Sequence, residues 1–202
     1  MNDLQIDWEQ DRPNAMQLYG LWKSLQISPV STWTDATEIL AEKISETHIN
    51  GGGQFHKYVI SRNRYFDWFA SRNRLEEIDF IQNVFRHQGL KEYRRDIGVP
   101  GDKLEVEVIA NNYDIFDLPG QLARILHFGG AYNRTKVGQK EAWSIVLTFI
   151  ENEFENRFSE FELFQLSLKN AAWFYNIAWD NSIAIFDKRK YELIIIDITD
   201  SD

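Results

Sequence analysis

The sequence predicts an α+β fold in which N-terminal and central helices pack on a largely antiparallel sheet that ends in a C-terminal β-hairpin. Apolar residues recur at spacings of three and four through the first three quarters of the chain, whereas short alternating or continuous apolar runs crowd the last quarter. No shift in composition marks a linker, so residues 1–202 are expected to form one domain.

Met16, Leu18, Tyr19, Leu21, Trp22 and Leu25 form the stripe of an amphipathic helix over Asn14–Leu25, with Pro29 as its stop. Thr34 or Asp35 caps a second helix with Glu38 in the sense of a capping box, and Ile39, Leu40 and Ile44 are its expected buried face. Asn50-Gly51-Gly52-Gly53 ends it. Gln54–Ile60 suits a strand and Tyr65, Phe66, Trp68 and Phe69 a helix; strand then helix is the preferred reading, with one helix over 54–74 left open. Leu75, Ile78, Ile81 and Phe85 predict a further helix stopped by Gly89-Leu90.

Gly98-Val99-Pro100-Gly101 reads as a turn into a strand in which Leu104, Val106, Val108 and Ala110 alternate with Lys103, Glu105 and Glu107, ending at Asn111-Asn112. Asp117 can cap a helix to about Phe128, where Gly129-Gly130 breaks it. Gln139–Phe154 forms the next, with Trp143, Val146, Leu147, Ile150 and Phe154 expected inward. Phe161–Leu168, Ala171–Trp179, Ser182–Asp187 and Tyr191–Thr199 read as strands, with Lys188-Arg189-Lys190 at a hairpin tip.

Composition narrows the function classes. Apolar residues make up 44% of the chain, with seven Trp, eight Tyr and fourteen Phe, enough for a large core and against disorder. The absence of cysteine excludes a disulfide scaffold, thiol catalysis and thiolate zinc sites. Neither a leader-like segment nor a long apolar run is present, so a soluble, cytoplasmic protein with no membrane partner is expected. The formal charge is −9, but residues 55–95 hold nine Lys and Arg against five Asp and Glu, so the remainder carries −13. Such a field disfavours polyphosphate partners, nucleic acid included.

Local motifs are sparse. Arg62, Arg64, Arg72 and Arg74, interleaved with Tyr65, Trp68 and Phe69, have the residue types of a single-strand nucleic-acid platform, or else form a solvated face paired with Glu76, Glu77 and Asp79. The four histidines, His48, His56, His87 and His127, show no metal-binding spacing, and no cofactor or metal is expected. Gly51-Gly52-Gly53 lacks the Lys-Ser or Lys-Thr of a P-loop. Glu105 and Glu107 share a strand face that alternation makes wet, where carboxylates have little catalytic leverage.

Asp197, Asp200 and Asp202 crowd the C-terminus, and Trp173, Tyr175, Trp179 and Asp180 add aromatic density before it. Aromatics beside acids suit a protein-binding hot spot. The resulting expectation is a non-catalytic acidic module that occludes a basic partner, as an immunity or inhibitor protein does a nuclease toxin, through Trp173, Tyr175, Trp179, Asp180, Asp197, Asp200 and Asp202. The alternatives are a hydrolase or phosphodiesterase-like enzyme with a site near His56, Arg62 or Arg64 and the Gly51–Gly53 loop, and a nucleic-acid binder through residues 55–95.

Overall fold

The computed structural model describes residues 6–97, 104–110, 114–132, 137–155 and 157–202. The expected turn at Gly98–Gly101 and the strand end at Asn111-Asn112 lie outside the described residues. The fold is α+β. Its elements run α1 (Ala15–Ser24), β1 (Ile27–Pro29), α2 (Asp35–Thr47), β2 (Gly52–Ile60), α3 (Arg64–Ser71), α4 (Phe80–Arg86), α5 (Gln88–Tyr93), β3 (Glu105–Ala110), α6 (Leu118–Phe128), α7 (Gln139–Phe154), β4 (Phe161–Lys169), β5 (Asn181–Asp187) and β6 (Glu192–Thr199). Strand order is β1-β2-β6-β5-β4-β3, every neighbouring pair antiparallel.

Helices cover both faces of this sheet. Alternation sends Tyr58, Ile60, Phe164, Leu166, Ala184, Phe186, Leu193 and Ile195 to one face, against Leu21, Phe66, Phe69, Phe80 and Phe85 of α1, α3 and α4. Ile183, Ile185, Ile194, Ile196 and Ile198 point the other way, against α2, α6 and α7 through Leu40, Ile44, Leu122, Leu126, Val146, Phe149 and Phe154. Burial on both faces explains the unbroken run Leu193–Ile196: β6 lies between β2 and β5, and every position on it from Leu193 to Thr199 is buried.

Local chemistry sets the boundaries. The Asn14 side chain accepts from the Gln17 amide and Gln17 returns the bond, a full capping box for α1, while Thr34 caps α2. Asn63 caps α3, which settles residues 54–74 as strand then helix. Pro29 does not end a helix but sits on the three-residue edge strand β1, where its missing amide costs no ladder bond to a further strand.

Several expectations need correction. The helix predicted through Leu75–Phe85 breaks at Asp79, whose left-handed backbone (φ 45°, ψ 45°) separates a 3-10 turn, Leu75–Ile78, from α4. Gly89 does not stop that helix but lies inside α5, which His87 caps. The Ala171–Trp179 strand is a loop, entered and shaped by left-handed Asn170 and Asn176, because antiparallel strands cannot hold positive φ at those positions. Ile39, Trp143 and Leu147 face solvent; the buried stripes of α2 and α7 are narrower than their apolar sequences. Among the described residues no helix is long and apolar enough to cross a membrane.

Candidate functional site

The C-terminal acids do not form a solvated edge. Asp197 and Asp200 are both 0% exposed, so neither can touch a partner directly. Asp200 accepts from the amides of Asn50 (2.8 Å) and Ala131 (2.7 Å), tying the α2–β2 turn and the end of α6 to the last strand. Asp180 is part-buried and accepts from Thr199 Oγ1 (2.5 Å) and the Ile177 amide (2.9 Å). Tyr175 and Asp202 are exposed, whereas Trp173 and Trp179 are half-buried. The structure therefore gathers Trp173–Asp180 in one loop and withdraws the two central acids from it.

Asp197 belongs to a buried polar node. Its side chain takes the Ser182 hydroxyl at 2.6 Å and lies 2.8 Å from Nη2 of Arg94, itself 1% exposed. Arg94 also holds Asp96 through two bonds of 2.9 and 2.6 Å. Burial pushes the Asp197 carboxyl up, and Arg94 and Ser182 offset this only in part. Against its desolvation, Arg94 holds Asp96 below the usual carboxylate range. His56 faces this node: burial, and then the Arg94 charge, lower its pKa to about 4.

The enzyme alternative placed His56 with Arg62 or Arg64 beside the glycine loop, and the fold does not bring these together. His56 is mid-strand, its Nε2 on Gln54 Oε1 (3.2 Å), while the glycines and Arg62 flank opposite ends of β2, roughly 30 Å apart at strand rise. Arg62 Nη2 donates to the Arg189 carbonyl (2.9 Å) and Arg64 Nη2 to Tyr65 Oη (2.7 Å). A Cβ on Gly51 would stand 2.3 Å from the Thr199 carbonyl oxygen, so that glycine permits close backbone approach to β6. His48 packs with α2 on the opposite sheet face from His56, its Nδ1 on Thr47 Oγ1 and the Ile44 carbonyl. The residues of the nucleic-acid alternative are likewise engaged: Phe69 and Trp68 are core residues, Arg72 stacks on Trp68 (4.6 Å), and Arg74 pairs with Glu77 (3.6 Å).

A different site emerges at the other end of β4. Four separate segments line an open pocket of about 640 Å³, with Glu76, Asp114, Phe116, Phe158, Glu162 and Lys188 among its lining residues. Asp114 caps a 3-10 turn, Ile115–Asp117, by accepting from the Phe116 amide, which sets the Phe116 ring outward, 69% exposed and 5.3 Å from Phe158. Left-handed Asn73 turns its side chain to accept from Lys188 Nζ (2.5 Å), and the Ser159 carbonyl accepts from the same ammonium (3.2 Å). The hairpin turn is pinned here by the Lys188 amide on the Glu160 carbonyl (2.9 Å).

Glu162 is the unusual member. It sits on β4 on the same side as Phe164 and Leu166, and its buried Oε2 has no hydrogen-bond partner among the described residues. Burial, reinforced by Glu76 and opposed by Lys188, raises its pKa to about 7. Burial lowers the Lys188 pKa, although Glu162, Glu160, Asp187 and Asp114 oppose the shift. The arrangement combines a part-buried carboxylate, two further carboxylates and an exposed ring around one open space: it can receive a cation.

Sequence reasoning missed this site. Lys188 reads as a hairpin tip, Asp114 and Phe116 belong to no periodic run, and only Glu162 carries a signal, a carboxylate on the strand face that otherwise holds Phe164, Leu166 and Leu168. Among the described residues no group of three or more His, Asp or Glu side chains is arranged to hold a metal ion. No known family model matches the chain, and no curated protein is significantly similar to it.

Proposed function

We propose that the protein is a non-catalytic acidic binding module, of the immunity or inhibitor kind, that occludes a basic protein partner. The single observation that carries this reading is the Glu162 pocket, where the part-buried carboxylate of Glu162, those of Glu76 and Asp114 and the exposed Phe116 ring line a space open to a guest. Glu162 is part-buried and lines this open space, which makes its carboxylate available to a cationic donor from outside the chain, and the net charge of −9 speeds encounter with a cationic partner. The exposed Tyr175 and Asp202 add acidic and aromatic surface elsewhere, but the pocket replaces the C-terminal acids as the centre of contact, since Asp197 and Asp200 are buried. The test is affinity capture from source cells at low and high salt, wild type beside a Glu76→Gln/Asp114→Asn double variant. A stoichiometric basic protein held at low salt and lost by the variant is expected. Retention indifferent to these substitutions, an acidic partner, or no retained protein overturns the reading.

A further inference from the structure

We infer that the Glu162 pocket takes the guanidinium of a partner's arginine, stacked on the Phe116 ring and bonded by the carboxylates of Glu162, Glu76 and Asp114. This rests on the reading above and narrows it from a basic partner to one side-chain type.

Three features favour guanidinium over ammonium. The exposed Phe116 ring, backed by Phe158, offers a flat π surface, and a planar cation keeps ring contact and in-plane hydrogen bonds at once, whereas a compact, strongly hydrated ammonium does not. Carboxylates reach the space from separate segments, Glu76 from one 3-10 turn, Asp114 from the residue before another and Glu162 from β4, so donors spread in a plane meet several acceptors. The pocket wall already holds such an arrangement: the Arg157 guanidinium lies 5.0 Å over Phe161, a lining residue, while bonding Glu160 (2.9 Å) and Asp187 (2.8 Å).

Charge at the site supports this. Among the described lining residues Lys188 is the cation, but its ammonium is held by Asn73 and the Ser159 carbonyl, and no hydrogen bond joins it to Glu162 Oε2. Glu160 and Asp187 are engaged by Arg157 and Arg189. Glu76, Asp114 and Glu162 remain to balance a guest. An incoming cation would ionise Glu162, so binding near neutral pH releases a proton from that carboxyl.

The experiment is an NMR titration of the ¹⁵N-labelled full chain with Nα-acetyl-arginine amide, its lysine counterpart and its uncharged citrulline counterpart. Shifts confined to residues around Asn73–Ile78, Ile115–Asp117, Phe158–Leu163 and Lys188 are expected, with arginine bound about fivefold or more tighter than lysine and citrulline unbound. Phe116→Ala, at a solvent-facing position, should leave the spectrum folded and erase the arginine preference, and Glu162→Gln should weaken arginine binding. Equal response to lysine and arginine, shifts elsewhere, or no shift overturns the inference. If the small probes fail while partner capture still depends on Glu76 and Asp114, the arginine assignment falls and the acidic-module reading stands. If the probes bind and capture fails, the reverse holds.

Discussion

Arg94 and Asp197 meet at 2.8 Å across 103 residues of sequence with neither side chain in contact with bulk solvent, and Asp96 and Ser182 complete the node. The pair fastens α5 and the turn after it to the centre of the sheet. Removing one member strands the other charge in the interior. Arg94→Met is therefore expected to cost roughly 3–5 kcal/mol in urea unfolding, and the double variant Arg94→Met/Asp197→Leu less than the single one. A single variant as stable as wild type would show that the pair is replaceable by water.

Glu162 gives a pH signature of the opposite sign to an ordinary salt-bridged carboxylate. Its folded pKa of about 7 lies above the usual 4.5, so the unfolded chain releases its proton first as pH rises. Stability attached to this group is complete below about pH 4.5, is lost as pH climbs towards 7, and is flat above. Glu162→Gln should match wild type near pH 4.5 and be the more stable protein at pH 8, read as the difference between two urea midpoints. A constant difference across that range would rule out a buried ionisable Glu162.

His56 pulls the other way. Burial and Arg94 depress its pKa from 6.5 to about 4, so the unfolded chain binds the extra proton between those values. The stability contribution is fully present above pH 6.5 and falls as pH drops to 4. His56→Gln should flatten that acid limb of the stability profile without changing stability at pH 8 by more than about 1 kcal/mol. NMR titration of the His56 ring, with no charge change down to pH 5, is the direct check.

Much of the fold was legible where the signal is local. Thr34 and the apolar spacings of Asn14–Leu25 and Gln139–Phe154 place their helices, and Ser182–Asp187 with Tyr191–Thr199 place the hairpin. What failed depended on sheet order. Period two puts Asp197 on the face of Leu193 and Ile195, and the unbroken run Leu193–Ile196 marks a strand buried on both faces, but nothing in the sequence names its neighbours or places Arg94 above it. Ala171–Trp179 reads as a strand but is a loop, since its bend resides in the backbone of Asn170 and Asn176. The pocket was hidden because its acids and rings come from three segments, with Lys188 from a fourth, and converge only in three dimensions.

Asp200 separates a structural role from a binding one. As a partner contact it would be dispensable for folding; as the acceptor for the Asn50 and Ala131 amides it is not. Gly130 confirms how closely this carboxylate is packed, since a Cβ there would stand 1.9 Å from Asp200 Oδ2. Asp200→Ala leaves two amides without their acceptor, a loss of about 2–4 kcal/mol. For a chain of this size that is a fall in Tm of roughly 5–15 °C. Thermal unfolding checks it, with Asp202→Ala, at an exposed position, as the comparison expected to leave Tm unchanged. Equal Tm values for the two variants would return Asp200 to the surface and reopen the C-terminal acids as a docking edge; a large gap leaves the Glu162 pocket as the acidic site where a partner is sought.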